Sequence, residues 1–433
     1  MTSSLCVMPR KITAERLPVL LRPGMTVFVQ GASGEPTTLL QALAATPEAS
    51  DRVHYVGCLI PGVNATDPAS FHARAGLTSC FVFGDIARSN AAGKVRFLPL
   101  HYSGIWDYLA GLEIDLALIQ VTPPDRSGRC SLGVSVHFVP AVLDRAKVVV
   151  AEVNAAMPRP AHSHEISYDR LDYVVETERP LVALATGDLP PEIHRIGAHV
   201  ASLIEDGDTI QIGIGKVPAA VLGALRDRQG LGLHGGLVSD EVADLREAGV
   251  LSGARRSHDP ETMVCTAALG SPRVYDWAGR CAALRFAPVS YTHDVRVLAQ
   301  IDDFVAINSV LAVDLSGQAN AEMLGGRQVS GTGGLLDFVR GARLSRGGRS
   351  ILALPSTARG GKVSRIMAHF GEGEVVSCPR ADADVVVTEH GIAHLRDKSV
   401  DERALALIAI TDPAFRRDLG EQWEALRRDR ATR

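Results

Sequence analysis

Residues 209–245, TIQIGIGKVPAAVLGALRDRQGLGLHGGLVSDEVADL, hold the residue types best suited to chemistry in this chain. TIQIGIG alternates and is rich in β-branched residues, which predicts a strand. Gly213 and Gly215 break it into a tight turn, and Pro218 falls in the first turn of a helix, where its missing N–H does no harm. A strand, a glycine turn and a helix start together aim backbone N–H groups outward, toward an anion or a polarised carbonyl oxygen. An ordinary βα turn has the same local pattern. A second glycine cluster, Gly331, Gly333 and Gly334 in VSGTGGLLDFVRGA, offers close backbone approach to a ligand, or simply a turn.

The chain must supply α/β elements to position these loops. With 433 residues, two domains of roughly 200 are expected. Aromatic residues are only 5% and there are 41 glycines, which favours tightly packed α/β layers over an all-β sandwich. A net charge of −4 without a basic tract argues against nucleic acid as a partner. The start, MTSSLCVMPRKITAERL, has no apolar core and no apolar run reaches 18 residues, so a cytoplasmic protein with no membrane association is expected. The seven cysteines form no CxxC pair and no HExxH spacing occurs, so neither a metal site nor a tightly held cofactor is expected.

Two stretches share an order of elements. In 12–43 a helix, a strand, a glycine-rich turn and a helix led by Pro36 follow one another, and 191–225 repeats the order. Gly24 matches Gly207, Thr26 matches Thr209 and Pro36 matches Pro218, which points to two related α/β domains. A buried strand is expected at 115–121, and 146–159 is expected to contain a strand ending at Asn154. The Pro- and Gly-rich stretch 179–192 reads as a linker, dividing the chain into 1–190 and 191–433.

DLALIQVTPPDRSGRCSLGVSV, VNAAMPR, GIGKVPAAVL, AINSVLAVDLSGQ, SGTGGLLDFVRGA, SILALPSTARGGKVSRI and VVTEHGIAHLR occur in that order. With these motifs the chain resembles the acetyl-CoA hydrolase / 4-hydroxybutyrate CoA-transferase family over nearly its whole length. The resemblance implies two related open α/β domains of the CoA-transferase type, facing each other across an acyl-CoA cleft. It implies a first CoA-contacting loop at Gly213, Ile214, Gly215, Lys216 and Val217, in which Lys216 pairs with a phosphate oxygen. It also implies CoA contacts at Leu311, Ser330, Gly333 and Gly334, with the Gly334 N–H holding the thioester oxyanion. Lys362 and Arg365 either reach the CoA phosphates or form a solvated basic face. Asp337 reads as a helix cap.

Family enzymes are similar in attacking the thioester with a glutamate carboxylate, through an anhydride and a glutamyl-CoA thioester. Their segment resembles H-[ST]-E-M-F-S-D-G. Here it reads HGGLVSDE from His234 to Glu241, with Gly236 at the nucleophile's place. Further departures are Leu335 for a Gln, His390 for the aromatic of TEYG, and Asp397 for a Gly. Glu241, His390, Glu322 and His234 are the candidates for the missing role. Glu241 also reads as a helix N-terminal carboxylate and His390 as a general base or an aromatic filler; His234 reads as structural. The Gly235-Gly236 pair is also a candidate for left-handed backbone.

The function expected is CoA transfer between an acyl-CoA and a small carboxylate, with coenzyme A as substrate. Acyl-CoA hydrolysis and a catalytically silent acyl-CoA binder are the alternatives, and a homo-oligomer is left open. A nicotinamide dehydrogenase is not supported, because GIGKVP lacks the third glycine of the dinucleotide fingerprint.

Overall fold

The computed structural model describes residues 8–184 and 187–431. They fall into two compact units. One takes in 8–184 with the short excursions 238–240 and 264–292. The other takes in 187–237, 241–263 and 293–431.

The first unit is built on an eight-stranded sheet in which every neighbouring pair is parallel. At its centre lie Thr26–Val29, Ile114–Val121 and Ala146–Asn154. IDLALIQV is apolar nearly throughout because both faces of a parallel sheet are covered; seven of its eight residues are buried. The core packs Leu17, Leu39, Leu40 and Leu43 against Val27, Tyr55 and Leu116.

The second unit has a six-stranded sheet in the order Gly232–Leu233, Thr209–Ile212, Phe304–Ser309, Arg349–Ala353, Val385–Thr388, Gly391–His394. The first five run parallel and the last is an antiparallel edge. In an open parallel sheet ligands gather at the carboxyl ends of the strands. Those ends deliver residues 213–215, 234–236 and 310–311 to one edge of this sheet. The C-terminal helix Pro413–Ala431 buries Leu419 and Trp423 against the unit's core.

The repeated order of elements has a structural counterpart. Gly24 has φ +90° and Gly207 φ +91°, each two residues before a strand, Thr26–Val29 or Thr209–Ile212. Helices Thr37–Ala44 and Lys216–Gly223 follow the two turns. The opening segment of the first copy is a 3-10 helix, Ala14–Leu20, with Pro18 inside it; proline denies the α-helical ladder an N–H.

Candidate active site

Strand Thr209–Ile212 is fully buried and ends in a turn that rises to the surface. Gly213 and Ile214 are half-buried, Gly215 and Lys216 exposed, and Val217 buried. Gly215 has φ +110° and caps helix Lys216–Gly223. That backbone favours glycine. A Cβ on Gly213 or Gly215 would meet nothing within 4 Å, so the space above this turn is open.

The neighbouring strand Gly232–Leu233 runs into His234-Gly235-Gly236. Gly232 is required by packing, because Arg256 lies across it: a Cβ there would stand 2.5 Å from the Arg256 Cγ. The Arg256 guanidinium donates to the Leu233 and Thr262 carbonyls and faces Nδ1 of His234 at 3.4 Å. His234 is fully buried edge-on to Phe304.

Gly235 and Gly236 both lie outside the left-handed region, so the expectation of φ > 0 is corrected. Gly235 packs on Gln211, whose Cγ is 3.3 Å from a built Cβ. Gly236 is half-buried and reaches solvent.

The second glycine loop precedes helix Leu335–Leu344. The helix begins three residues before the FVRGA start expected from sequence, and its N-cap is Gly334, not Asp337. Asp337 is buried in the first turn, where a carboxylate suits the helix dipole. Gly333 has φ +58°. Glu322 ties down the approach to this loop: its carbonyl accepts from the N–H groups of Val329 and Ser330, and its carboxylate accepts from the Ser377 hydroxyl at 2.7 Å. The Ser330 hydroxyl lies 3.5 Å from the Gly331 carbonyl. Leu311, half-buried beyond strand Phe304–Ser309, is fixed through its backbone: its N–H donates to Asn320 at 2.8 Å and its carbonyl accepts from Arg365 Nη1 at 3.0 Å. Burial lowers the Arg365 pKa from its ordinary value. Lys362 is exposed on the loop of the hairpin Thr357–Ala358 and Val363–Ser364.

One residue that the sequence reading did not single out joins the two glycine positions. His293 is buried at 2% exposure. Its ring rests on Phe338, with centroids 4.5 Å apart and planes at 45°. A Cβ on Gly236 would stand 3.4 Å from His293 Cε1 and 3.5 Å from Nε2; one on Gly334 would stand 2.7 Å from Nε2. Nε2 therefore faces both the position that lacks the family's glutamate and the glycine that begins the second loop's helix. A lone histidine in YTHDV carries no sequence pattern that marks it.

His390 and Glu241 are the remaining candidates. His390, at the turn between Val385–Thr388 and Gly391–His394, has Nε2 3.8 Å from a Glu389 oxygen and 3.7 Å from an Asp412 oxygen. Glu389 is itself held by the backbone N–H and hydroxyl of Ser356. Glu241 is the second residue of helix Asp240–Glu247. Among the described residues, no group of three or more His, Cys, Asp or Glu side chains is placed to hold a metal ion, and no helix is long and apolar enough to cross a membrane.

Fold and loops together define an α/β protein with parallel sheets and glycine turns at the strand ends, a class that presents backbone N–H groups to acyl or phosphate oxygens. The comparisons make this specific. Residues 8–186 match the acetyl-CoA hydrolase/transferase N-terminal domain and residues 270–423 its C-terminal domain. The chain is 37% identical to the 4-hydroxybutyrate coenzyme A transferase of Clostridium kluyveri, over 95% of this chain and 97% of that one. It is 34% identical to the succinyl-CoA:cyclohexane-1-carboxylate CoA transferase of Geobacter metallireducens, over 91% and 90%. The crystal structure of RipA from Yersinia pestis superposes with a TM-score of 0.90 at 32% identity, over 96% of this chain and 98% of that one. The chain belongs to the acetyl-CoA hydrolase/transferase family, and the resemblance read from its motifs is borne out.

Proposed function

We propose that this protein is an acyl-CoA-dependent enzyme that transfers coenzyme A between an acyl-CoA and a small carboxylate. The observation that carries this is end-to-end likeness to relatives named CoA transferases, at 34–37% identity over 90% or more of each chain. The site supports it. The open turn at Gly213–Val217 runs beside the pantetheine or phosphate arm, with the exposed Lys216 ammonium beside a phosphate oxygen. The N–H of Gly334 meets the thioester oxygen, and Leu311, Ser330 and Gly333 line the remainder. CoA is a substrate here, and no further cofactor is invoked.

One observation favours a second reading, hydrolysis: Gly236 offers no side chain with which to trap the acyl or CoA group. A panel of acyl-CoAs with and without acetate, following free thiol and new thioester together, separates the two. New thioester that appears only with the carboxylate supports transfer. Thiol release at the same rate without it supports hydrolysis. Tight binding with neither product makes the protein a silent acyl-CoA binder.

A further inference from the structure

We propose that the second unit carries a further binding site, for a small phosphate monoester, at the edge of its sheet opposite the glycine loops. The inference does not rest on the CoA-transfer reading.

A cavity of about 420 Å³ opens within this unit. Residues 381–384 lead into strand Val385–Thr388, and residues 396–398 follow the antiparallel strand Gly391–His394. Both stretches therefore line the cavity from the amino-terminal edge of the parallel sheet. Arg343, in the last turn of helix Leu335–Leu344, adds a third side. That helix starts at the second glycine loop, and its ten residues span about 15 Å. The cavity is thus a helix length away from Gly334.

The charges around the cavity do not cancel. The Asp384 carboxylate accepts from Arg396 Nη2 at 2.7 Å and from the Ser350 N–H at 3.2 Å. An Asp382 oxygen lies 3.6 Å from Nε of Arg340. Each of these acids is matched by an arginine. Arg343, Lys398 and Arg403 remain, against the carboxylate of Asp397. None of these three cations forms an ion pair among the described residues. Arg343 Nη1 donates to the Ala381 carbonyl. Arg403 donates through Nε to the Lys398 carbonyl at 3.2 Å and through Nη1 to the Arg380 carbonyl at 2.6 Å. Neutral oxygens thus hold both guanidinium groups in place without neutralising them. The turn at Gly317 backs Arg403, because a Cβ there would stand 3.1 Å from its Nη1. Burial, then the charges of Arg380 and Arg343, lower the Arg403 pKa from its ordinary value.

A dianion relieves this crowding. Guanidinium forks fixed in advance match phosphate oxygens, and the lysine adds a point charge. The lining has no aromatic ring on which a base could stack, and its apolar residues are Ala381 and Ala383. Asp397 is an acceptor for hydroxyl protons. These features select a phosphate on a short hydroxylated carbon chain over a nucleotide or an acyl chain.

The test is isothermal titration of the full chain with glycerol 3-phosphate, with glycerol as the uncharged control, repeated in the presence of saturating CoA. The expected result is saturable binding of one glycerol 3-phosphate per chain, weakened by added salt, absent with glycerol and unchanged by CoA. Lys398→Ala and Arg343→Gln are each expected to weaken it about 10-fold or more while leaving CoA affinity unchanged. Lys398 is exposed, so its variant serves alone should Arg343→Gln fail to fold. No saturable binding, or wild-type affinity in the folded variants, would overturn the inference. Displacement of glycerol 3-phosphate by CoA would assign these cations to the CoA phosphates; it would overturn the separate site and leave CoA transfer standing.

Discussion

A Cβ on Gly334 would stand 2.7 Å from Nε2 of His293 and 2.9 Å from Cε2 of Phe338. Real side chains do not approach that closely, so the imidazole keeps its place only while residue 334 is glycine. Gly334→Ala must displace the ring or the helix start. It is expected to cost about 1–3 kcal/mol of stability, as overpacking does, and to reduce turnover further by misplacing the loop's N–H. Thermal unfolding and initial rates on the same preparation check both. A variant with wild-type stability and rate would show that neither glycine nor imidazole is fixed here.

Gly236 is the opposite case. Its backbone is ordinary, and a Cβ meets the imidazole at 3.4 Å, close to normal contact. Gly236→Glu is expected to fold with a loss of less than about 1 kcal/mol. It restores a carboxylate at the position where the resemblance places the family's glutamate. The variant should raise transferase activity and form a covalent CoA thioester at residue 236, found by borohydride reduction and peptide mass. A folded variant that binds acyl-CoA but shows neither effect would contradict the placement.

Gly215 has φ +110° and open space around it. Gly215→Ala pays no steric penalty to neighbours, yet strains the backbone by about 1–2 kcal/mol or reshapes the turn. Weaker CoA binding with modest loss of Tm is expected. In the wild-type protein, CoA should protect the amides of 213–217 and of 330–334 from hydrogen exchange. Protection confined to residues before 185 would place CoA elsewhere.

Much of this was legible in the sequence. The strand ending at Asn154 was, because AKVVVAEVN carries four valines in nine residues, a composition that suits a covered sheet. The turn at 213–215 was, because glycines between a β run and an apolar helix have few other uses. Asp397 was flagged only as a departure from glycine; its φ of +59° shows that the turn kept its left-handed form and that aspartate, which tolerates it, took the place. The start of helix Leu335–Leu344 was set too late because the glycine that caps it reads equally as loop. His293 was not legible at all. Its importance lies in contacts to residues 57 positions before it and 41 after it, which no local pattern encodes.

The first unit carries a separate pH response. The His137 ring is buried beside Tyr102 and Phe138, and burial depresses its pKa from 6.5 to about 4. Its Nε2 has no hydrogen-bond partner among the described residues. The folded chain therefore holds this imidazole neutral while the unfolded chain protonates it below pH 6.5. Stability is fully present above 6.5 and is lost as the pH falls toward about 4, by about 3 kcal/mol in total. His54 and His164, also lowered mainly by burial, act in the same direction. Urea unfolding from pH 7 to 4 should show the loss, and His137→Leu should flatten part of it. An equal pH slope in that variant would assign the loss to other groups.

The account turns on CoA transfer without an enzyme carboxylate at residue 236. The most direct measurement is to incubate the protein with acyl-CoA, reduce with borohydride, and map every peptide by mass. The expected result is no modification of the peptide containing Gly236, nor of Glu241 or Glu322, in an enzyme that turns over once acetate is added. A CoA-derived modification on Glu241, Glu322 or any other carboxylate, formed as fast as turnover, would show that the nucleophile has moved rather than vanished, and would contradict the account.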